Sequence, residues 1–462
     1  MGKPQKIDPR NLVVCIDGTS NQFGLKNTNV IELYRLLAKD ENQITFYNSG
    51  IGTYATPSWK SLAYRRQQLY HKLDLAIAWN FERIVQIAYQ WLSEQYRDGD
   101  KIFLFGFSRG AYQVRCLSAM IHTVGLIHRG NEAQIAFAYQ LYANERTLEN
   151  PSYMAERFKE TFSREVKVHF VGAWDTVSSV GVIRDKTLPG TTEGMKHANF
   201  FRHALALDER RVKFLPEYAY EGCSLPTDED ERRRELKSRD HSNILAHTKE
   251  VWFAGTHSDI APSLRWMSYQ ATAAGLRVQP VTGKWDFAAP ITIHESLTRS
   301  WWPFEMVPWV RLTYHGAKNS TMRPHQGMPR HIHEGQMIHS SLLHDSNKRE
   351  EAVDGSRSPQ SFWKRVTLAL RKNDSSTKNY VPKASLKRLG QDDLRTWGDF
   401  YTAAGSATLP ALVERDLNDL ASELVHGIRA ARPFDTPSLL RQFVFLASSG
   451  ASALLNPILC IN

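Results

Sequence analysis

Cysteine is scarce in this chain, which has four cysteines among its 462 residues. Cys15, Cys116, Cys223 and Cys460 are scattered, and no two of them form a C-x-x-C pair. Scattered cysteines exclude a disulfide scaffold and a zinc ribbon, and they indicate a reducing compartment. The composition, with 42% hydrophobic and 11% aromatic residues, predicts a sizeable folded core and excludes global disorder.

The N-terminus lacks the apolar stretch of a secretory signal. It begins MGKPQKIDPRN, and Lys6 stands where a myristoylated chain would carry Ser or Thr. No apolar run long enough to span a bilayer occurs before Gln442–Ile461, which Gly450 and Pro457 interrupt. We interpret that stretch as a docked hairpin or interfacial element, with a membrane segment as the alternative. We expect a cytoplasmic protein without a signal peptide, and membrane association stays open.

Several cofactor and nucleic-acid motifs are absent. The stretch SGIGTY lacks the Lys-Ser/Thr of a P-loop, no G-x-G-x-x-G follows the first apolar run, and no H-E-x-x-H occurs. No RNP-type, zinc-finger or helix-turn-helix signature is present. We therefore predict no metal, no cofactor and no nucleic-acid partner. The net charge of +10 favours an anionic partner such as a membrane surface, although solubility alone explains it equally well.

Short apolar runs alternate with helical patterns along the first half of the chain. Strands alternating with helices predict an α/β fold with a mostly parallel central sheet and helices on both faces. The mixed charge run Asp228–Arg239 predicts a solvated helix or loop. The predicted strands are Asn11–Ile16, Ile44–Tyr47, residues 101–106, Val166–Ala173 and Glu250–Ala254, and the predicted helices are Val30–Leu37, Leu73–Tyr96 and Ala111–Val124.

The residues Gly106-Phe107-Ser108-Arg109-Gly110 match the pattern G-x-S-x-G. The pattern alone is weak, but Ser108 directly follows a predicted strand and precedes a predicted helix, as in a nucleophile elbow. The glycines let the helix approach the strand, and the helix N-terminus directs its amides at a developing oxyanion. We predict that Ser108 is a nucleophile. The alternative is an incidental serine in a tight turn.

A nucleophilic serine needs a base, and the base needs an acid that orients it. Asp175 in AWDTVSSVG and His257 in WFAGTHSD each follow a later predicted strand, in the Ser, Asp, His order of α/β-hydrolases. The chain has 17 histidines, so position decides more than residue type. His339 and His294 are the alternatives for the base, and Asp259 is the alternative for the acid.

An oxyanion hole needs two backbone amides, one of them from the residue after the nucleophile, here Arg109. The second amide usually comes from an early loop, and CIDGTSN offers Gly18 or Thr19. Asp17 would oppose an oxyanion, so we expect it to accept hydrogen bonds that hold this loop. The Arg109 side chain has two candidate partners, Asp17 and a substrate phosphate.

Five blocks resemble the α/β-hydrolase-like family that includes the catalytic domain of bacterial type VI secretion phospholipase effectors. They are IDGTSN, SGIGT, GDKIFLFGFSRGAYQVR, FVGAWDTVSSVG and EVWFAGTHSD, and RHALALDERRVKFLPE also fits. HESLTRSWWPFEMVPW and RHIHEGQMIHSS resemble the fungal members. The resemblance implies an α/β-hydrolase-like fold and phospholipase A-like activity through Ser108, Asp175 and His257. The chain departs from the family after His257, where SDIAPS replaces a glycine-rich run.

We divide the chain into a catalytic domain over residues 1–345, a basic polar insertion or linker over 346–390 whose disorder stays open, and a C-terminal extension packed on the catalytic domain over 391–462. The predicted function is a serine hydrolase that cleaves carboxylic esters, with lipid esters as its substrates. An inactive scaffold of the same fold and an esterase for small soluble esters are the alternatives. The basic amphipathic segment Phe362–Lys372 has two interpretations. It packs on the domain, which is the more common arrangement, or it lies on an anionic membrane surface. The oligomeric state stays open.

Overall fold

The computed structural model describes residues 9–18, 27–50, 81–144, 150–177, 188–220, 223–226, 228–238, 246–259, 261–279, 294–309, 311–312, 320–342, 382–386 and 413–414. Several predictions fall outside these residues. They concern the start of the helix at Leu73, most of the basic insertion, the segment Phe362–Lys372 and the apolar C-terminal stretch.

A sheet of eight strands forms the centre of the described part of the chain, and every pairing within it is parallel. Its strands are apolar because both faces are buried; all six residues of the Asn11–Ile16 strand are buried. The predicted α/β fold is confirmed. In spatial order the strands are β14 (Val413–Glu414), β12 (Met337–His339), β8 (Thr248–Phe253), β7 (Ala198–Ala206), β6 (Val168–Trp174), β3 (Lys101–Phe107), β1 (Asn11–Ile16) and β2 (Gln43–Asn48).

Helices cover both faces of this sheet. Alternate residues of β1 point to opposite faces: Leu12, Val14 and Ile16 pack with the four α-helices described between residues 81 and 162, and Val13 and Cys15 pack with the helices Asn29–Leu36 and Ala261–Ala273. The mixed charge run Asp228–Arg239 forms a helix over Glu229–Ser238, which is one of the two structures predicted for it. The helices are α1 (Asn29–Leu36), α2 (described over residues 81–95), α3 (Arg109–Val124), α4 (Ile135–Ala143), α5 (Pro151–Phe162), α6 (Glu229–Ser238), α7 (Ala261–Ala273) and α8 (Trp302–Met306).

Short pairings complete the described structure. β4 (Leu126–Ile127) and β5 (Ser163–Arg164) are antiparallel, as are β9 (Arg311–Leu312) and β10 (Ser320–Thr321), whereas β11 (His331–Ile332) and β13 (Ser385–Leu386) are parallel. 3₁₀ turns lie at Glu132–Gln134, Val212–Phe214, Arg299–Trp301 and Ser340–Leu342. Within the described ranges, no helix is long and apolar enough to cross a membrane.

Three strands of the main sheet were not predicted. β7 contains Arg202 and His203, which break its apolar pattern; both side chains are buried because Arg202 donates to Gln270 and His203 pairs with Glu250. β12 and β14 have three and two residues, too few for a periodic pattern. β14 lies in the predicted C-terminal extension and pairs with β12. The predicted domain boundaries stay a prediction.

The register of the central strands aligns their carboxyl ends. Phe107 of β3 pairs with Trp174 of β6, and Ala206 of β7 pairs with Phe253 of β8. The loops that begin at Ser108, Asp175 and Ala254 therefore emerge at one edge of the sheet. Ligands of open parallel sheets bind at this edge.

Candidate active site

Ser108 lies on a strained turn between β3 and α3. Its backbone angles, φ 57° and ψ −121°, are outside the regions that residues other than glycine normally adopt. A methyl group on Gly106 would lie 2.4 Å from the carbonyl oxygen of Gly110, and one on Gly110 would lie 2.3 Å from that of Ile16. Both glycines are therefore required where α3 packs against β1 and β3, and this packing holds the serine in its turn.

His257 contacts this serine directly. Its Nε2 lies 2.8 Å from the Ser108 Oγ. The imidazole lies between the rings of Phe107 and Phe214, whose centroids are each 4.7 Å from its own. His257 is 6% exposed, so the hydrogen bond to Ser108 is largely shielded from water.

Asp175 contacts the other nitrogen of the imidazole. Its Oδ2 lies 2.5 Å from the His257 Nδ1, and the amide of Ala206 donates to its Oδ1 at 3.1 Å. Asp175 also has a positive φ, 44°, so its backbone is strained like that of Ser108. With the Nδ1 proton donated to the carboxylate, Nε2 is left to accept the Ser108 hydroxyl proton. This is the arrangement of a general base oriented by an acid.

Arg330, which the sequence analysis missed, holds both oxygens of Asp175. Its guanidinium donates to Oδ1 at 2.6 Å and to Oδ2 at 2.9 Å, and it also donates to the carbonyl oxygens of Ala206 and Phe214. Burial raises the pKa of Asp175, but the charge of Arg330 and the hydrogen bond from His257 outweigh burial and hold this pKa well below its usual range. The site therefore contains an ionised, four-times hydrogen-bonded carboxylate.

Glu209 is a second carboxylate that the sequence analysis missed. It is fully buried, and its Oε2 accepts the backbone N–H of His257 at 3.3 Å. Arg211 donates to both of its oxygens, at 2.9 and 2.7 Å. Burial raises the pKa of Glu209, and the hydrogen bonds and charge of Arg211 lower it by more, so the net shift is downward. As an anion, Glu209 therefore fixes the backbone of the loop that carries His257.

The alternative base and acid residues have other partners. His339 is buried in β12, where its Nδ1 accepts the Ser341 amide and its ring packs on Phe253. His294 pairs with Asp259 at 2.8 Å, and Asp259 also accepts the amide and hydroxyl of Thr256. The histidine that contacts Ser108 is therefore His257, and the aspartate that contacts this histidine is Asp175.

The predicted oxyanion donors are described only in part. Arg109 is the first residue of α3, so its amide lies at the helix N-terminus next to Ser108. The amide of Gly18 instead donates to the Asp17 Oδ1 at 2.6 Å. The prediction that Gly18 or Thr19 supplies the second donor stays a prediction. Thr19 lies outside the described residues.

Asp17 lies where it can hold the loop after β1. It is fully buried, and its Oδ2 accepts the hydroxyl groups of Thr28 at 2.7 Å and Tyr47 at 3.1 Å. Thr28 is also the N-cap of α1, since its hydroxyl accepts the amide of Ile31. Asp17 therefore links β1, α1 and β2.

A cavity of about 20 Å³ borders Asp175 and His257. Among the residues that the structure describes, no group of three or more His, Cys, Asp or Glu side chains is placed to hold a metal ion.

A parallel α/β sheet with a serine on a strand–helix turn, and a histidine and an aspartate at the same edge, defines the α/β-hydrolase-like class. Comparison with known families identifies the family within this class. The family described as "T6SS, Phospholipase effector Tle1-like, catalytic domain" matches residues 10–277, and the chain belongs to this family. The resemblance drawn from the sequence blocks is thereby confirmed.

A curated relative is "Uncharacterized protein YEL023C" of Saccharomyces cerevisiae, 38% identical over 218 residues. The match covers 44% of this chain and 32% of the yeast protein, so the chain spans about a third of that relative's length. Among solved structures, the Tle1 effector bound to the VgrG spike of the type 6 secretion system is 17% identical, with a TM-score of 0.32 over 56% of this chain and 52% of that one. An uncharacterized protein from Pseudomonas aeruginosa is 13% identical, with a TM-score of 0.31 over 59% and 47%.

Proposed function

We propose that this protein is a serine hydrolase that cleaves the acyl ester bonds of lipids. The observation that carries the proposal is the hydrogen-bonded chain from Ser108 Oγ through His257 to Asp175, built on a strained turn at the N-terminus of α3. Lipid esters are the proposed substrates because the chain belongs to a family of phospholipase catalytic domains.

The proposed reaction has two acyl-transfer steps. Ser108 Oγ attacks the acyl carbon while His257 Nε2 takes the hydroxyl proton, and Asp175 stabilises the resulting imidazolium. The amide of Arg109 stabilises the oxyanion, His257 returns the proton to the departing alcohol oxygen, and an acyl-enzyme remains. Water then attacks the acyl carbon with His257 as base, and the fatty acid leaves as Ser108 recovers its proton.

Substitution of the serine tests the proposal. We expect Ser108→Ala to lower turnover by several powers of ten, because no other group supplies the nucleophile. Ser118→Ala is the matched control, since Ser118 is a second buried serine, inside α3, and its hydroxyl has no hydrogen-bond partner among the described residues. The measurements are fatty-acid release from phospholipid, hydrolysis of short and long acyl esters, and labelling by a fluorophosphonate.

Each alternative gives a different result. Equal turnover by Ser108→Ala and the unsubstituted protein would contradict the proposed nucleophile. A folded protein that neither labels nor hydrolyses any ester would favour the scaffold. Activity on short soluble esters without release of fatty acid from phospholipid would favour the small-ester esterase.

A further inference from the structure

A row of aromatic and exposed apolar residues lies on the segment 301–309. Met306 and Val307 are 45% and 40% exposed. Trp301, Phe304 and Trp309 are half-buried beside them. We call these five residues the aromatic ridge. Large apolar side chains this exposed, grouped with aromatic rings, are typical of an interaction surface.

Ring contacts join the aromatic ridge to the candidate active site. The Phe214 centroid lies 4.7 Å from that of His257 and 5.7 Å from that of Trp301, and Trp301 lies 5.5 Å from Phe304. Whatever binds on the ridge is therefore only a few side chains away from the serine that His257 contacts.

Two cations lie against the rings of the ridge. The Lys213 Nζ is 4.8 Å from the centroid of Phe304 and 4.8 Å from that of Trp309. The Arg211 guanidinium is 5.0 Å from the centroid of Trp301. These contacts hold positive charge beside apolar side chains.

Three of the neighbouring acids are turned inward. Glu305, in the middle of the segment, is fully buried and accepts from Val212, His325 and Gly327. Asp208 and Glu209 are also 2% exposed or less. By contrast, Arg210, Arg211 and Lys213 are half-buried, and Arg299 is exposed. Glu295 is exposed as well and pairs with Arg210 at 2.9 Å. Cations therefore outnumber acids on the solvent-facing side of the described part of this region.

We propose that the aromatic ridge binds the surface of a bilayer that contains anionic phospholipid and delivers its lipids to Ser108. Tryptophan rings lie at the headgroup level of a bilayer, apolar tips such as Met306 and Val307 enter the acyl boundary, and Lys213 meets the phosphates. The delivery of substrate rests on the proposed function, whereas the binding of the bilayer does not.

Vesicle flotation of the full chain with Ser108→Ala tests the binding, since this background leaves the vesicles intact. The probes are phosphatidylcholine vesicles with and without phosphatidylglycerol. We expect Met306→Asp/Val307→Asp to weaken binding about tenfold or more, because two apolar contacts become charged. Lys213→Glu should remove the preference for phosphatidylglycerol.

An exposed apolar pair elsewhere gives the matched control. Tyr153 and Met154 of α5 are 64% and 36% exposed, and Tyr153→Asp/Met154→Asp should float like the unsubstituted chain. Equal flotation by the ridge and control variants would overturn the proposal. So would a dimer, seen by light scattering, that the ridge variant dissociates, because the ridge would then bind a second copy.

Activity separates failure of this proposal from failure of the proposed function. With Ser108 present, the ridge variant should keep fluorophosphonate labelling and lose fatty-acid release from vesicles. Full release from vesicles by the ridge variant would overturn the proposed surface and leave the hydrolase proposal standing. Ridge-dependent flotation by a protein that hydrolyses no ester would support the surface and contradict the hydrolase.

Discussion

Arg330 changes the electrostatics of the candidate site. The two buried carboxylates, Asp175 and Glu209, are matched by two guanidiniums, Arg330 and Arg211, so the site is neutral while His257 is neutral. Proton transfer from Ser108 would add one positive charge at the imidazole. Asp175 is ion-paired with Arg330, and Glu209 accepts the backbone N–H of His257 at 3.3 Å, so both carboxylates lie next to the charge that this transfer would create. We infer that the imidazolium is stabilised by both carboxylates.

Substitution of Arg330 should affect Asp175 more than Ser108. Arg330→Met takes away two hydrogen bonds and the cation that holds the pKa of Asp175 low, so this pKa should rise. Asp175 would then take up a proton at a higher pH and stop accepting from His257. We expect kcat/KM on a soluble ester to fall on the order of a hundredfold and its acid limb to move to higher pH.

Arg330→Lys is the companion variant, because it keeps the charge and loses the paired donors. Its acid limb should stay nearer that of the unsubstituted protein while its rate falls. Acid limbs that coincide in all three proteins would contradict the role assigned to Arg330.

At the scale of elements, the elbow depends on close packing between a helix and two strands. The backbone of Gly110 meets the carbonyl oxygens of Ile16 and Asp17, so the start of α3 touches the end of β1 with no side chain between them. Ser108 is held from the neighbouring strand as well, since its amide donates to the Trp174 carbonyl at 2.9 Å. The strained serine conformation is therefore maintained by β1, β3, β6 and α3 together.

A single methyl group at this contact should open the elbow. Gly110→Ala places its Cβ 2.3 Å from a backbone oxygen, so α3 must shift. We expect a loss of about 1–3 kcal/mol of unfolding free energy and a loss of fluorophosphonate labelling. Chemical denaturation and labelling at equal fractions of folded protein measure the two effects. An unchanged labelling rate would show that the turn does not depend on this packing.

The elements that sequence patterns predicted were those with local signals. The apolar run of β1, the strand–turn–helix around Ser108 and the strand ends at Asp175 and His257 are each recognisable within about ten residues. β7 was missed because its polar residues are paired only in the folded chain. Arg330 was missed for the same reason, since its partner Asp175 is 155 positions away. Neither partnership leaves a pattern in the adjacent sequence.

At the scale of the whole molecule, the site and its sheet extend beyond the residues that the family matches. The match ends at residue 277, yet Arg330, β12 and β14 lie after it. Glu414 of β14 is 5% exposed and accepts from Lys249 at 2.9 and 3.1 Å and from Trp266 and Gln270. The C-terminal part of the chain thus supplies a buried anion to the sheet.

Loss of this anion should destabilise the sheet. Glu414→Ala removes the carboxylate that accepts from the ammonium group of Lys249, whose side chain is 3% exposed. Breaking a buried pair on one side costs about 3–5 kcal/mol, so we expect a fall of this size in the free energy of unfolding. Glu160→Ala is the control, because Glu160 pairs with Arg157 on the exposed face of α5 and should cost less than about 1 kcal/mol.

The double variant Lys249→Met/Glu414→Leu distinguishes a charge effect from a packing effect. With both charges of this pair gone, neither is buried without the other, and most of the loss caused by Glu414→Ala should be recovered. Urea denaturation of the single and double variants measures the coupling. A double variant as unstable as Glu414→Ala would show that the packing of the Glu414 side chain, rather than its charge, joins β14 to the sheet. A fully stable Glu414→Ala would show that β14 contributes nothing to it.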